Sequence, residues 1–312
     1  MTPPATVALQ GLTRRFGPLT AVAGLTFDVA AGELFGIVGP DGAGKTTTLR
    51  MLAGVLRPSD GDAHVAGVSI RSDPEGVKPH IAYMAQRFGL YEDLTVAENL
   101  AFYADLYRVP RAMRPERLER LYAFSRLEEF KDRLAGQLSG GMKQKLSLSC
   151  ALIHHPRILL LDEPTFGVDP ISRRDLWLIL HGMVASGITV VVSTSYLDEA
   201  ERCDRVALLH RGRVLALDTP QALQRGLPDT LMEVRTADAR RARDVLRSLP
   251  GVESATLFGD TVHLVLKDGL DAAAVSAHLE GAGVPVMDAR LAEPSLEDVF
   301  LRRVAGDGQP GD

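Results

Sequence analysis

Three runs in this chain, "ELFGIVG", "RILLLD" and "GITVVVST", are aliphatic and β-branched without a polar alternation. That pattern predicts strands buried on both faces of a parallel sheet. The first run leads through a glycine-rich loop into an apolar-periodic helix over Thr46–Leu56, and a helix over Ser172–Val184 supplies the crossover that joins parallel neighbours. From Val7 to Val68 short β-like runs alternate with turn residues. Between Thr95 and Leu134 the period changes: Leu100, Tyr103, Ala104 and Tyr107 recur at spacings of three and four, which predicts a helical insertion, bounded at about 92–140.

Proline and glycine thicken in "LDTPQALQRGLPDT", and a second pattern starts near Leu231. "TLMEVR" reads as a strand, "ADARRARDVLRSL" as a helix, and "VESATLFGDTVHLVLK" as a hairpin turning at Gly259 and Asp260, with Val262, Leu264 and Leu266 on one face. "LDAAAVSAHLEGAG" and "PVMDARL" add a helix and a strand, so the order β-α-β-β-α-β predicts a ferredoxin-like unit. A closing helix in "PSLEDVFLRRVAG" starts with Ser295 three residues before Asp298, a capping-box spacing, and Gly306 is its expected stop. The expected domains are 1–226 and 229–304, followed by a disordered tail at 305–312.

Composition narrows the class. The 312 residues leave room for two cores, and 46% apolar with 24% charged residues is ordinary for a soluble globular protein. A formal charge of -5 removes electrostatic support for unselective nucleic-acid binding. The longest apolar runs are strand-length, far below the roughly 18 residues of a spanning helix, and the N-terminal "MTPPATVALQ" has no secretory pattern. The expectation is a cytoplasmic chain that works at a membrane only through a partner. Cys150 and Cys203 have neither CxxC nor zinc-ligand spacing and read as buried thiols.

"GPDGAGKTT" fits the phosphate loop G-x-x-x-x-G-K-[ST]. Gly39, Asp41, Gly42, Ala43 and Gly44 would turn backbone N–H groups on phosphate, with Thr47 just beyond. Lys45 would reach the β and γ phosphates, and Thr46 would offer a hydroxyl to Mg²⁺. In "RILLLDEPT", Asp162 ends an apolar strand where it can hold the metal through its water shell, and Glu163 beside it can polarise attacking water. In "LSGGMKQ", Ser139, Gly140 and Gly141 open a helix, whose exposed N–H groups, dipole and hydroxyl together grip an anion.

With "LSGGMKQ" standing between the phosphate loop and Asp162, the sequence resembles the ATP-binding cassette (ABC) ATPases from about Val7 to Leu217. The resemblance implies ATP and Mg²⁺ as cofactors, and a P-loop NTPase core of α/β class with an antiparallel β subdomain and helical insertion. The small C-terminal α+β ferredoxin-like domain follows it. It also implies a site completed by a second cassette, because the signature helix grips the γ-phosphate bound by the opposite subunit. Phe16 falls where such proteins stack an aromatic ring on adenine, a contact worth about 1–3 kcal/mol by analogy with base stacking. Gln86 matches the glutamine that touches Mg²⁺ and opens the insertion where transmembrane partners dock, and Asp169 matches the segment that crosses the dimer interface. "YEDLTVAENL", "LDEAERCDRV" and "EPSLEDVFL" resemble the drug-exporter and ABC-2 type branch. That implies an ABC-2 type permease as partner and a peripheral place on the inner face of the cell membrane.

Two positions depart from the family pattern. Ser195 stands where the family's histidine contacts the γ-phosphate, and loss of such a preorganised donor costs about 2.7–4 kcal/mol, or about a hundred- to a thousand-fold in rate. Asp41 replaces a common asparagine and adds a negative charge close to the phosphates. Three readings stand beside the leading one of an exporter ATPase subunit that works by ATP-driven dimerisation, as a homodimer or as a heterodimer with another cassette. The first is a weakened cassette paired with a distinct, intact one; the second is a nucleotide-binding regulator that hydrolyses little. The third, a soluble cassette acting on nucleic acid, has no coiled coil, tandem cassette or basic tail in its support.

Overall fold

The computed structural model describes residues 5–86, 89–227, 230–267 and 270–307. Two strands of twelve residues, β1 (Ala5–Phe16) and β2 (Leu19–Ala30), pair antiparallel, and β4 (Asp60–Val65) and β5 (Val68–Ser69) extend them into a sheet of order β2-β1-β4-β5. Between these hairpins the chain makes β3 (Leu34–Val38) and α1 (Lys45–Leu52). After the short α2 (Pro74–Val77) come β6 (Ile81–Met84), the insertion helices α3 (Val96–Leu106) and α4 (Arg114–Ser125), and then α5 (Gly140–Leu152). The chain continues through β7 (Ile158–Asp162), α6 (Pro170–Ala185), β8 (Thr189–Thr194), α7 (Leu197–Ala200), β9 (Arg205–His210), β10 (Arg213–Asp218) and α8 (Pro220–Arg225).

The second sheet has the order β10-β9-β3-β8-β7-β6, parallel except for the antiparallel edge strand β10. Every residue of β3, β7 and β8 is buried, as unbroken apolar runs in a doubly covered sheet require. One core joins this sheet to the antiparallel one, with Val7, Leu9 and Val29 packed into the same cluster as Ile37, Leu49 and Leu160. The Phe27 and Phe35 rings stack across it at 5.2 Å.

α1 stops at Leu52, short of the expected Leu56, because Gly54 turns left-handed (φ 68°) and returns its N–H to the Met51 carbonyl. Apolar periodicity runs past that turn, so the pattern alone overextends the helix. In the insertion, Arg108 and Arg126 also adopt positive φ and cut the expected helical stretch into separate helices. Thr95 caps α3 in a reciprocal box with Glu98. Cys150 and Cys203 are both buried free thiols.

The chain divides into two units: the residues up to Pro220 together with the stretch from Arg303, and Gln221–Arg302. The division falls at α8 rather than at 226–229, since "PQALQR", which reads as linker, is helical.

The second unit contains β11 (Thr230–Thr236), α9 (Ala239–Leu246), β12 (Val252–Phe258), β13 (Thr261–Leu266), α10 (Ala272–Gly281) and β14 (Val286–Leu291). Its sheet order, β12-β13-β11-β14 with all neighbours antiparallel, is the ferredoxin-like arrangement. Phe258 pairs with Thr261 around Gly259 (φ 60°) and Asp260, and Val262, Leu264 and Leu266 enter a core with Met232, Val234 and Leu246. α11 (Leu296–Asp307) opens on a reciprocal box in which Ser295 and Asp298 exchange hydrogen bonds. The expected disordered tail is therefore helical from 305 to 307, while its remainder, 308–312, lies outside the described residues. Among the described residues no helix is long and apolar enough to cross a membrane.

Candidate active site

The phosphate loop joins the end of β3 to the start of α1, and two of its glycines are fixed by close approach. A Cβ on Gly39 would lie 2.2 Å from the Leu209 carbonyl, and one on Gly44 (φ 101°) would lie 2.6 Å from the Ala21 carbonyl. Gly42 is left-handed as well (φ 79°), and Ala43 is buried with its N–H on the Pro40 carbonyl. No side chain caps α1, so its first-turn N–H groups and dipole are available to an anion.

Lys45 is only 5% exposed, and its ammonium donates to the Gly39 carbonyl at 2.7 Å and the Pro40 carbonyl at 3.2 Å. It also meets Glu163 Oε1 at 3.1 Å. Asp41 is 4.0 Å away with its side chain 98% exposed, so water screens the extra charge that the sequence brings into the loop. Thr46 Oγ1 donates to Asp162 Oδ1 at 2.9 Å, and Thr47 follows it in α1 half-buried.

Asp162 closes β7 fully buried and also accepts from Ser193 Oγ at 2.8 Å and Tyr83 OH at 3.4 Å. Glu163 adopts a left-handed backbone (φ 48°), strained for a non-glycine residue, and is held by its N–H to Ser193 Oγ at 3.0 Å. Gln86 Nε2 donates to Glu163 Oε2 at 3.1 Å, so Lys45 and Gln86 grip opposite oxygens of one carboxylate. Lys45, Thr46, Gln86, Asp162 and Glu163 thus form one cluster at the carboxyl ends of the parallel strands, where such sheets bind ligands.

Ser195 follows β8 half-buried, and its neighbours are tied by a residue the sequence reading passed over. Glu199, 1% exposed, accepts on Oε2 from Thr165 Oγ1 at 2.8 Å and Thr194 Oγ1 at 2.9 Å. Arg173 Nε lies 3.4 Å from its other oxygen, and the Arg173 guanidinium covers the Tyr196 ring at 4.7 Å. Glu199 therefore fastens the loop after β7 to the loop after β8. The Thr194 carbonyl in turn accepts from Gly39 N–H at 3.3 Å.

A second patch lies at the facing starts of α5 and α6. Ser139 caps α5, accepting from Met142 N–H at 3.3 Å, with Gly140 and Gly141 in its first turn. A Cβ on Gly141 would stand 2.2 Å from Ser172 Oγ, so α5 passes close to α6 there. Asp169 caps α6 through the N–H groups of Ser172 at 2.9 Å and Ile171 at 3.1 Å, and these bonds, Ser172's first, hold its carboxyl below the ordinary range. Phe16, 44% exposed at the end of β1, carries the Arg14 guanidinium over its ring at 4.5 Å.

The donor set suits a triphosphate and a hard cation. A glycine cradle, a buried ammonium and a helix start answer the phosphates, while Thr46 and Asp162 offer the oxygen ligands that Mg²⁺ takes beside phosphate and water. Among the described residues there is no group of three or more His, Cys, Asp or Glu side chains that would form an all-protein metal cage.

The ABC transporter family pattern matches residues 22–166, and the C-terminal domain of DrrA1-3-like ATP-binding proteins matches residues 219–304. The probable multidrug ABC transporter ATP-binding protein YbhF of Escherichia coli K12 is 43% identical over 97% of this chain and 53% of its own length. The chain thus spans about half the length of that relative. The daunorubicin/doxorubicin resistance ATP-binding protein DrrA of Streptomyces peucetius is 36% identical over 99% of this chain and 94% of its own. Among solved structures, a dimeric post-hydrolysis state of the cassette MJ0796 bound to ADP and phosphate superposes with a TM-score of 0.61. It is 26% identical and covers 68% of this chain and 98% of that one. With this identity across nearly its whole length, the chain belongs to the ATP-binding proteins of the ABC transporter family.

Proposed function

We propose that this chain hydrolyses ATP as the motor subunit of an exporter, closing as a pair of cassettes around two nucleotides to drive a separate ABC-2 type permease. The observation that carries the reading is the convergence of Lys45 and Gln86 on the Glu163 carboxylate beside the Thr46–Asp162 pair. Lys45 exchanges Glu163 for the β and γ phosphate oxygens, which releases the carboxylate to orient and deprotonate water. Gln86 steadies that carboxylate and, as the entry to the insertion, relays its state to the permease. Thr46 and Asp162, with Gln86 nearby, would hold Mg²⁺, which would supply neutralisation of the phosphate charge.

Phe16 stacks on adenine with Arg14 behind it. Ser139, Gly140, Gly141 and Asp169 stand on the surface that meets the opposite cassette's nucleotide; the dimeric form of MJ0796 with ADP and phosphate supports the pairing of cassettes. The names of YbhF, a multidrug transporter ATP-binding protein, and DrrA, a daunorubicin/doxorubicin resistance ATP-binding protein, support drug-like substrates; a place at the inner membrane face follows from the permease proposed as partner. Turnover measured across a dilution series tests the paired site. A rate per subunit that falls on dilution agrees with it, and a constant rate from a monodisperse monomer overturns it.

A second reading rests on Ser195, which lacks the imidazole the family uses at that place: a weakened cassette paired with a distinct, intact one. Co-purification from membranes separates the two, since a homodimer returns one cassette species and the mixed pair returns two.

A further inference from the structure

The parallel strands of the six-stranded sheet start at the end opposite the phosphate loop. β7 and β8 begin at Ile158 and Thr189, and the stretches that enter them line two adjoining cavities of about 360 and 450 Å³ that share Pro156, Ser186 and Ile188. Each strand is five or six residues long, so this groove lies roughly 15–20 Å from the phosphate cluster at the other strand ends. Cavities of this size are those of small-molecule sites.

The lining is chemically one-sided. One face of α4 looks into the first cavity with Arg117, Arg120, Leu121 and Phe124, at the i, i+3, i+4, i+7 spacing of a helix stripe. His155 lies opposite, and Arg157 lines the adjoining cavity. Among the described residues no carboxylate lines either cavity, in a chain whose formal charge is -5. Arg120 is held from outside the lining by Glu116 at 2.6 Å, and Arg117 donates one nitrogen to the Ile153 carbonyl at 2.9 Å and the other, more weakly, to Met113 Sδ at 3.9 Å. Burial first, then Arg117 and Arg120, push the His155 imidazolium to lower pKa, against an opposing pull from Glu116. The floor between the cations is apolar, made by Leu121, Phe124, Met183 and Ile188.

We propose that this groove binds a small amphipathic anion, one acidic head on an apolar body, with the head on Arg117 and Arg120 and the body over Phe124, Met183 and Ile188. Such a ligand bridges the insertion helix α4 to the loops that enter β7 and β8, and so joins the insertion to the sheet layer at a place remote from the nucleotide. The inference does not depend on the chain's role in export.

The test is calorimetric titration of the full chain with octyl phosphate and with octanoate, each below its micelle concentration. Octyltrimethylammonium and inorganic phosphate serve as controls. Saturable binding of one equivalent of either anion, with the two controls silent, is expected. Octanoate binding as well as octyl phosphate supports a general acidic-head site, and octyl phosphate alone restricts the head to phosphate. Arg120→Ala, and separately Ile188→Glu, should each weaken binding by about tenfold or more while the circular-dichroism melting point holds. If Ile188→Glu fails to fold, the exposed Arg120→Ala carries the test. Absence of saturation, equal binding of the cationic amphiphile or inorganic phosphate, or undiminished binding by a folded Arg120→Ala overturns the proposal. So does binding that fades as protein concentration rises, since a second copy would then be covering the groove.

Discussion

The Lys45 ammonium and the Glu163 carboxylate meet at 3.1 Å, both nearly buried, across the gap between the phosphate loop and the end of β7. Neither partner lacks other support: Lys45 keeps two loop carbonyls and Glu163 keeps Gln86. The contact can therefore open without stranding a buried charge, which would otherwise cost several kcal/mol. Glu163→Gln preserves the shape of this cluster while removing the base proposed above. ATP hydrolysis should fall by about 10²–10⁴-fold with nucleotide binding intact and a closed dimer accumulating. Steady-state phosphate release and size-exclusion chromatography in ATP check it; an unchanged rate would remove Glu163 from the role of base.

Ser195 offers a sharper test, because it asks for a gain. The loops on either side of it are already fixed by Thr194, Glu199 and the Gly39 bridge, so an imidazole introduced there enters a preorganised frame. Ser195→His should raise turnover of the homodimer by up to about a hundred- to a thousand-fold. If the rate stays flat while a second, distinct cassette stimulates the wild-type chain, the mixed pair is the working unit.

Which parts of this site could be read from the chain follows from how local they are. Gly39–Thr46 is one continuous turn and helix start, and every residue it needs is written within eight positions. Ser193 is different: it sits in "VVVST", which reads as core, and meets Asp162 only because β7 and β8 align those two residues in register. Tyr83 reaches Asp162 through a neighbouring strand in the same way. Glu199 lies in the charged run "LDEAE", where composition alone gives no sign of burial, yet it is buried. The one available signal is the close spacing of Thr194 and Glu199, which brings a hydroxyl and a carboxylate together across a single turn. The ferredoxin-like unit was legible because its hairpin turn and alternating β13 are local patterns. Two short-range signals misled: periodicity beyond Gly54 and the linker-like run that forms α8.

Glu199 is predicted to hold the two catalytic loops in register. Truncating one partner of a buried charge pair leaves the rest unsatisfied, so Glu199→Ala should cost about 3 kcal/mol in urea unfolding. Glu199→Gln retains an acceptor for Thr165 and Thr194 and should unfold closer to wild type. Folded Glu199→Gln should still lose rate more than ATP affinity, since its effect falls on Ser195 and Glu163 rather than on the phosphate loop. Loss of affinity with kcat unchanged would refute that placement.

The second unit carries its own pH signature at Asp298. Burial pushes this carboxyl up, but hydrogen bonds from His263 and Ser295 outweigh it and hold the group below the ordinary aspartate range. A depressed carboxylate stabilises the fold fully above its unfolded value of about 3.9, and that contribution disappears as pH falls through the lower folded value. The stability gap between wild type and Asp298→Ala should therefore be constant from neutral pH down to about 5, then close progressively below about 4. Urea unfolding across that range, followed by far-ultraviolet circular dichroism, measures it. Because Asp298 also caps α11 and His263 sits on β13, the same variant should loosen that helix at neutral pH, read as faster amide exchange in its first turn. A gap that widens toward acid would mean that the aspartate is destabilising when charged, and the His263 contact would then have the wrong sign.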